Sequence, residues 1–395
     1  MKHRELKPEI FWVGAIDWNL RNFHGYETRR GSTYNAYLVV DEKVVLIDTV
    51  KEHFFPEMLS RIKSVIDPQK IDYIISGHVE MDHSGSLPAM LKLAPRAKII
   101  TSPAGERGLK KHFGELPYQV VKTGDTLNIG KRNLQFVEIP MVHWPDSMVT
   151  YSPQDRVLFP NDAFGQHIAS FERFDGQMPL NIITEEAAKY YANIVLRYGS
   201  QVEKALNAVS SLEIEMIAPS HGIIWKTHIE KILKLYWKWA KYETEPRALI
   251  AYDTMWGSTE KLAFALYEGL EQAGIPTTLR KLSTTHITDV MTDVLESRLI
   301  AIGSPTINQD MLPTVGGFLT YLRGLAPRKR TGFAFGSYGW GKGGPERVEE
   351  MFKEMKFNLP VALFKVQYLP TDDDLENMRQ VGEKLGRLLP STSIS

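Results

Sequence analysis

The chain has 395 residues, no cysteine, 24% charged residues and 47 acidic against 47 basic side chains, which at about 150 residues per domain leaves room for two or three domains. That composition excludes disulfides, cysteine-ligated metal centres and thiol nucleophiles, and a formal net charge of zero argues against nucleic acid or an anionic membrane as partner. No stretch nears the ~18–20 apolar residues of a spanning helix, and the start Met1-Lys2-His3-Arg4-Glu5 has no signal-peptide core, so a cytoplasmic protein without a membrane partner is expected.

Short strands come first: Ile10 to Gly14, Asn35 to Val40, and Val44 to Asp48, the last two forming a hairpin over Asp41-Glu42-Lys43. The polar, aromatic loop between the first two holds His24. Apolar residues at helical spacing (Phe55, Met58, Leu59, Ile62, Val65, Ile66) then lead to the buried strand Ile71-Asp72-Tyr73-Ile74-Ile75. Directly after it stands Ser76-Gly77-His78-Val79-Glu80-Met81-Asp82-His83-Ser84-Gly85, with two imidazoles and two carboxylates in six residues. If the segment stays extended, His78, Glu80 and Asp82 point one way, while His83 breaks the alternation. Ligands facing two ways suit a pair of metal ions. Strand and helix keep alternating through Leu87–Leu93, Ala97–Thr101 and Arg107–Phe113, a layered α/β arrangement.

Three more polar residues each follow an apolar run: His143 after Leu134–Val142, Asp162 after Arg156–Pro160, and His221 after Ile214–Pro219. With the motif they bring the set to four His, two Asp and one Glu, a count that fits two ions bridged by one carboxylate. The aromatic helix Glu230–Ala240 closes the first domain, Lys241 to Arg247 reads as linker, and the expected domains are 1–246 and 247–395.

The second domain opens with the strand Ala248–Tyr252, the loop Asp253-Thr254-Met255-Trp256-Gly257-Ser258-Thr259-Glu260, and a helix from Lys261 to Ala273. A hydroxyl-rich loop entering a helix offers N–H groups to a phosphate, and without G-x-x-x-x-G-K-[ST] a nucleoside triphosphate is not expected. Ser304-Pro305-Thr306-Ile307-Asn308 and Gly336-Ser337-Tyr338-Gly339-Trp340-Gly341 follow two further strands. All three loops fall where open parallel sheets bind ligands.

The H-x-E-x-D-H stretch, His143-Trp144-Pro145-Asp146, Phe159-Pro160-Asn161-Asp162-Ala163-Phe164-Gly165 and Ser220-His221-Gly222, followed by the flavodoxin-type loops, resemble the flavodiiron protein family over nearly the whole chain. Glu80 stands where hydrolases of the fold carry His. The resemblance implies a metallo-β-lactamase-like αβ/βα sandwich followed by a flavodoxin-like doubly wound parallel sheet. It implies one iron on His78, Glu80 and His143, another on Asp82, His83 and His221, and Asp162 as the bridge, with His83 the ligand that water replaces in some relatives. FMN is implied on Thr254, Ser258 and Thr259 at the phosphate, on Pro305, Thr306 and Asn308 along ribityl chain and ring, and on Tyr338, Gly339 and Trp340 beside the isoalloxazine, with Met255, Trp256, Gly257, Ser304 and Ser337 also among the cofactor-binding residues. The implied activity is reduction of O2 to water, of NO to N2O, or both. Rubredoxin or reduced coenzyme F420 is the external donor, and a head-to-tail homodimer or dimer of dimers the assembly. His24 and one of the tyrosines Tyr190 and Tyr191, preferably Tyr191, are candidates to supply protons or hydrogen bonds. A dizinc hydrolase with an accessory flavin domain and a non-catalytic FMN electron carrier are the competing readings.

Overall fold

The structure is a computed structural model that describes residues Met1–Leu389, so the expected end of the second domain at 395 lies outside the described residues. Two compact units emerge. One comprises Met1–Tyr190 and Tyr198–Trp237, the other Tyr191–Arg197 and the chain from Lys238 onward.

The first unit is built on two sheets. Seven strands form one, in the order Arg4–Lys7, Ile10–Trp12, Tyr37–Val39, Val44–Ile47, Ile71–Ile75, Lys98–Thr101, Tyr118–Val120. Pairing is antiparallel up to Val44–Ile47 and parallel beyond it. Five strands form the other: Thr126–Asn128, Asn133–Glu138, Met148–Ser152, Val157–Phe159 and Met216–Ile217. Strand side chains alternate between faces, and here both faces are apolar. Tyr37, Val39, Val45, Ile47, Ile75 and Ile100 enter a core shared with Phe136, Met148, Val157 and Phe159 of the second sheet. Their neighbours Leu38, Val44, Leu46, Ile74 and Ile99 face Met58, Ile62, Leu87, Met90 and Leu109, which come from helices. That is a helix–sheet–sheet sandwich, with ligand-bearing loops at strand ends.

The motif segment does not stay extended. His78 and Glu80 sit in a loop, and Met81–Ser84 forms one helical turn, which overturns the expected alternation. The turn swings Asp82 away from His78 and Glu80. The next helix, Leu87–Leu93, starts at Ser86 with Pro88 in its first turn, as expected where a proline's missing N–H costs nothing.

The second unit holds a five-stranded, wholly parallel sheet in the order Thr277–Lys281, Glu245–Tyr252, Ser297–Pro305, Thr331–Tyr338, Phe364–Gln367. The sequence order 2-1-3-4-5 places a topological switch between its first and third strands. Its central strands, among them Ala248–Tyr252, Leu299–Ser304 and Gly332–Phe335, are buried on both faces, as a doubly wound sheet requires. The first strand begins at Glu245, inside the stretch expected to be linker. Among the described residues no helix is long and apolar enough to cross a membrane.

Candidate metal centre and flavin cavity

In the first unit the seven predicted ligands come together. His78, Glu80, His143 and Asp162 form one group and Asp82, His83 and His221 another, each with its ligand atoms within 4.8 Å of one another. The geometry turns on Asp162. Its Oδ2 faces His143 Nε2 at 3.2 Å and His78 Nε2 at 3.8 Å, while its Oδ1 faces His83 Nε2 at 2.9 Å and His221 Nε2 at 3.4 Å. Glu80 Oε2 completes the first group at 3.3 Å from His78 Nε2. Asp82 completes the second, with Oδ2 3.2 Å from His221 Nε2. His83 points inward with the others.

A layer of hydrogen bonds aims these ligands. His78 Nδ1 donates to Asp146 Oδ2 at 3.0 Å and His221 Nδ1 to the Thr33 carbonyl at 2.7 Å, which leaves each Nε2 lone pair directed into the site. Asp146 also accepts from the Val79 N–H at 2.7 Å. Asp48, wholly buried, accepts from the Gly77 N–H (2.8 Å), Asn161 Nδ2 (2.9 Å) and Ser220 Oγ (3.1 Å). Each of those donors immediately precedes a ligand: His78, Asp162 and His221. One carboxylate therefore ties three ligand loops together. Asp48 and Asn161 both stand at φ +56°, a conformation that Asp and Asn accept more readily than most residues.

The donor set asks for cations. Both oxygens of Asp82, both ring nitrogens of His83 and Asp162 Oδ1 are buried yet, among the described residues, have no partner in hydrogen-bond geometry, although buried polar groups are nearly always satisfied. Burial alone would raise the Asp82 and Asp162 carboxyls, but the neighbouring imidazoles, His83 foremost, hold both below the usual carboxylate range. Burial opposes a charge on His83, and the Asp82 and Asp162 carboxylates overcome it, so its pKa is pushed up to about 10. Without metal, protons occupy part of the place that cations fit.

His24 lies at the rim, its side chain 74% exposed and its Nε2 3.5 Å from Glu80 Oε1. Tyr191 is elsewhere: it packs on Trp239 at 5.1 Å between centroids, in the second unit. Its neighbour Tyr190 lies 6.1 Å from the His221 ring and 5.2 Å from His167. The helix Leu180–Tyr190 ends between the two tyrosines and a wider π-helical turn begins at Tyr191, so adjacent rings leave in different directions. Sequence reasoning also passed over Asp48, Asp146, Asn161, Thr33 and His167. The buried His167 ring lies 4.9 Å from His221, and its Nδ1 is 2.8 Å from Ser32 Oγ. Asp48, Asp146 and His167, two carboxylates and an imidazole, carried a residue-type signal, whereas Thr33 and Asn161 carried none.

In the second unit the three loops border a cavity of about 1160 Å³. Met255, Trp256, Ser258, Pro305, Thr306, Asn308, Ser337, Tyr338, Gly339 and Trp340 line it, as do Gln309, Gly341, Lys342, Tyr368 and Leu369, which the sequence did not single out. Thr254, Gly257 and Thr259 are not among the residues that line it. Thr254 Oγ1 accepts from the Gly257 N–H at 3.0 Å and Thr259 Oγ1 is 3.1 Å from Ser337 Oγ. The Ser304 hydroxyl donates to the Pro305 carbonyl and accepts from the Leu312 N–H, so it is committed within the protein. Gly257, at φ +87°, turns the chain into the helix Ser258–Gln272, whose first N–H groups lack intrahelical partners and favour an anion. At the rim Trp256 and Trp340 are 89% and 93% exposed, two flat apolar faces suited to a flat aromatic ligand.

The two units thus define a protein with two adjoining groups of candidate metal ligands in a β-lactamase-like sandwich and a flavodoxin-like domain after it. Residues 33–222 match the ODP family of beta lactamases and residues 250–381 match flavodoxin. The chain is similar to a nitric oxide reductase of Moorella thermoacetica (46% identity, 95% of this chain and 96% of the relative). It is also similar to the coenzyme F420H2 oxidase of Methanothermobacter marburgensis (40% identity, 97% of each). Among solved structures it is similar to the rubredoxin oxygen:oxidoreductase of Desulfovibrio gigas, with a TM-score of 0.96, 40% identity and 98% of each chain covered. The chain belongs to the flavodiiron protein family and is an oxidoreductase. The hydrolase reading of the sandwich fold finds no support in these likenesses.

Proposed function

We propose that the protein reduces O2 to water, NO to N2O, or both, at two iron ions held in the first unit and supplied with electrons through FMN in the second. The observation that carries this reading is the division of Asp162, one oxygen toward His78 and His143 and the other toward His83 and His221. That is the arrangement a bridging carboxylate needs. When bound, iron supplies one-electron redox chemistry and Lewis acidity, and the flavin couples two-electron donors to single-electron steps.

The residues set the conditions for that chemistry. Glu80, Asp82 and Asp162 bring three carboxylates against four imidazoles, a hard, anionic donor set that suits ferrous and ferric iron better than a histidine-dominated zinc site. Asp146 and the Thr33 carbonyl hold the tautomers of His78 and His221. His24, exposed beside Glu80, is positioned to pass protons from solvent, and Tyr190 shields the His221 side. Reduction of O2 to two waters consumes four electrons and four protons; coupling two NO to N2O and water consumes two of each.

Rubredoxin or reduced F420, which figure in the names of two relatives, is the proposed donor class. A head-to-tail homodimer is the proposed assembly, since it would cover exposed Trp256 and Trp340 and bring one copy's flavin to the other's irons. Full oxidase activity in a monomeric form would refute that arrangement. The central test is anaerobic turnover of protein with iron and FMN both verified as bound, given a chemical reductant and followed for O2 and NO side by side. Consumption of either gas is expected. Consumption of neither overturns the assignment and returns the hydrolase to consideration.

A further inference from the structure

Behind the metal centre, on the outer face of the second sheet, lies a small cavity. Met148, Val157 and Phe159 of its strands point to the inter-sheet core, so their neighbours Val149 and Leu158 point outward and form the cavity floor. Ala205 and Leu206 of the helix Gly199–Val209 and Tyr236 of the helix Ile229–Ala240 roof it. Its room for the centre of a water-sized molecule is about 20 Å³, against roughly 10–15 Å³ needed to hold one such molecule.

Two features set it apart from an ordinary packing gap. Val142 and Ala163 in its wall are the chain neighbours of His143 and Asp162, ligands whose facing atoms lie 3.2 Å apart, so the cavity backs directly onto the first group of ligands. Polar atoms of the adjoining loop are also spoken for. The Phe164 N–H donates to the Tyr236 hydroxyl at 2.6 Å, and the Phe164 carbonyl accepts from Trp225 Nε1 at 2.9 Å and Gln166 Nε2 at 3.0 Å. A buried water needs two to four polar partners and an apolar cavity of this kind stays dry. A neutral diatomic gives up no hydrogen bonds on entering, and dispersion contacts with the wall favour it.

We infer that this cavity is a binding site for neutral apolar gas, a dry reservoir from which O2 or NO reaches the metal ions; the role as reservoir rests on the reductase reading above. Water is excluded from it by the same absence of partners.

Xenon, an apolar probe of similar size, tests the site without turnover. Crystals of the iron- and FMN-loaded protein under xenon pressure should show xenon between Val142, Ala163 and Leu206. The variants Ala205→Leu and Val202→Leu, at two wall positions of the helix Gly199–Val209, fill the space from the helix side, touch no ligand and should lose that peak. They should also raise KM for the gas severalfold at unchanged kcat, iron content and flavin reduction. Absence of xenon from the wild-type cavity overturns the inference, and so does an unchanged KM in a variant that has lost xenon. Should the wild type consume neither gas, the reductase reading falls, and the xenon map alone then upholds or overturns the gas site.

Discussion

In the first unit His78, Asp82, His83, Asp162 and His221 are buried, and His78 and His221 hang on a further layer of hydrogen bonds, whereas the flavin cavity of the second is edged by Trp256 and Trp340, almost wholly exposed. The contrast follows from what each site must pay before its ligand arrives. Charged ligands in a low-dielectric interior are stable only if each is held and its neighbours offset it, so Asp48, Asp146 and the Thr33 carbonyl fix geometry beforehand. A flat aromatic ligand needs shape and a few N–H groups, which strand-end loops supply without buried charge. One site is rigid by electrostatic necessity, and the other is open.

Breaking the bridge should show the largest difference between the two. Asp162→Ala is expected to abolish gas consumption and the second metal equivalent, measured by elemental analysis, while FMN content stays as in the wild type; loss of FMN together with metal would show that the units are not independent in this respect. Asp48→Ala touches no ion, yet it releases three ligand loops. A loss of about 10–100-fold in metal affinity is expected, the range for groups that orient ligands, and metal titration checks it. Unchanged affinity would mean that the backbone alone aims the ligands.

Trp340→Ala sharpens the other side. Removing an exposed indole should leave stability within about 0.5 kcal/mol but weaken FMN by roughly 0.5–1.5 kcal/mol if the ring stacks on it, readable as release of flavin fluorescence on dilution. A further effect concerns protons in the metal-free centre. His83 rises from 6.5 to about 10 on folding, so its stabilising contribution is fully present below pH 6.5 and is lost as pH climbs through 10. Thermal melts of metal-free protein should therefore fall over that interval from this cause. Iron-loaded protein should lack this fall, because a metal-bound imidazole carries no such proton. Equal slopes in both forms would contradict the assignment of His83 as a ligand.

Much of this molecule was legible before any coordinates. The residue types after Ile75, Val142, Pro160 and Pro219 were enough to nominate all seven ligands, because strand ends expose polar side chains at points the chain can bring together. Strand–loop–helix order from Ala248 likewise announced a parallel sheet, since apolar runs alternating with helical spacing leave few other topologies. Other features lay beyond local pattern. An extended His78–Asp82 segment was the natural reading of alternating residues, yet a helical turn at Met81 divides Glu80 and Asp82 between two groups of candidate ligands. Tyr190 and Tyr191 are chemically identical neighbours, and only the end of one helix decides which ring meets His221. Ser304 looked like any other loop hydroxyl until the fold gave it Pro305 and Leu312 as partners.

The sequence by itself determined which atoms are available to bind metal and flavin, because ligand chemistry resides in side-chain type and loops at strand ends recur in order. Tertiary structure alone decided how they are shared: that Asp162 faces both groups, that Asp48 joins three loops distant in sequence, and that an apolar cavity backs onto His143. The Asp48 contacts join segments about 30 to 170 residues apart, and no local periodicity encodes the distance between residues that meet only when the sheets pack.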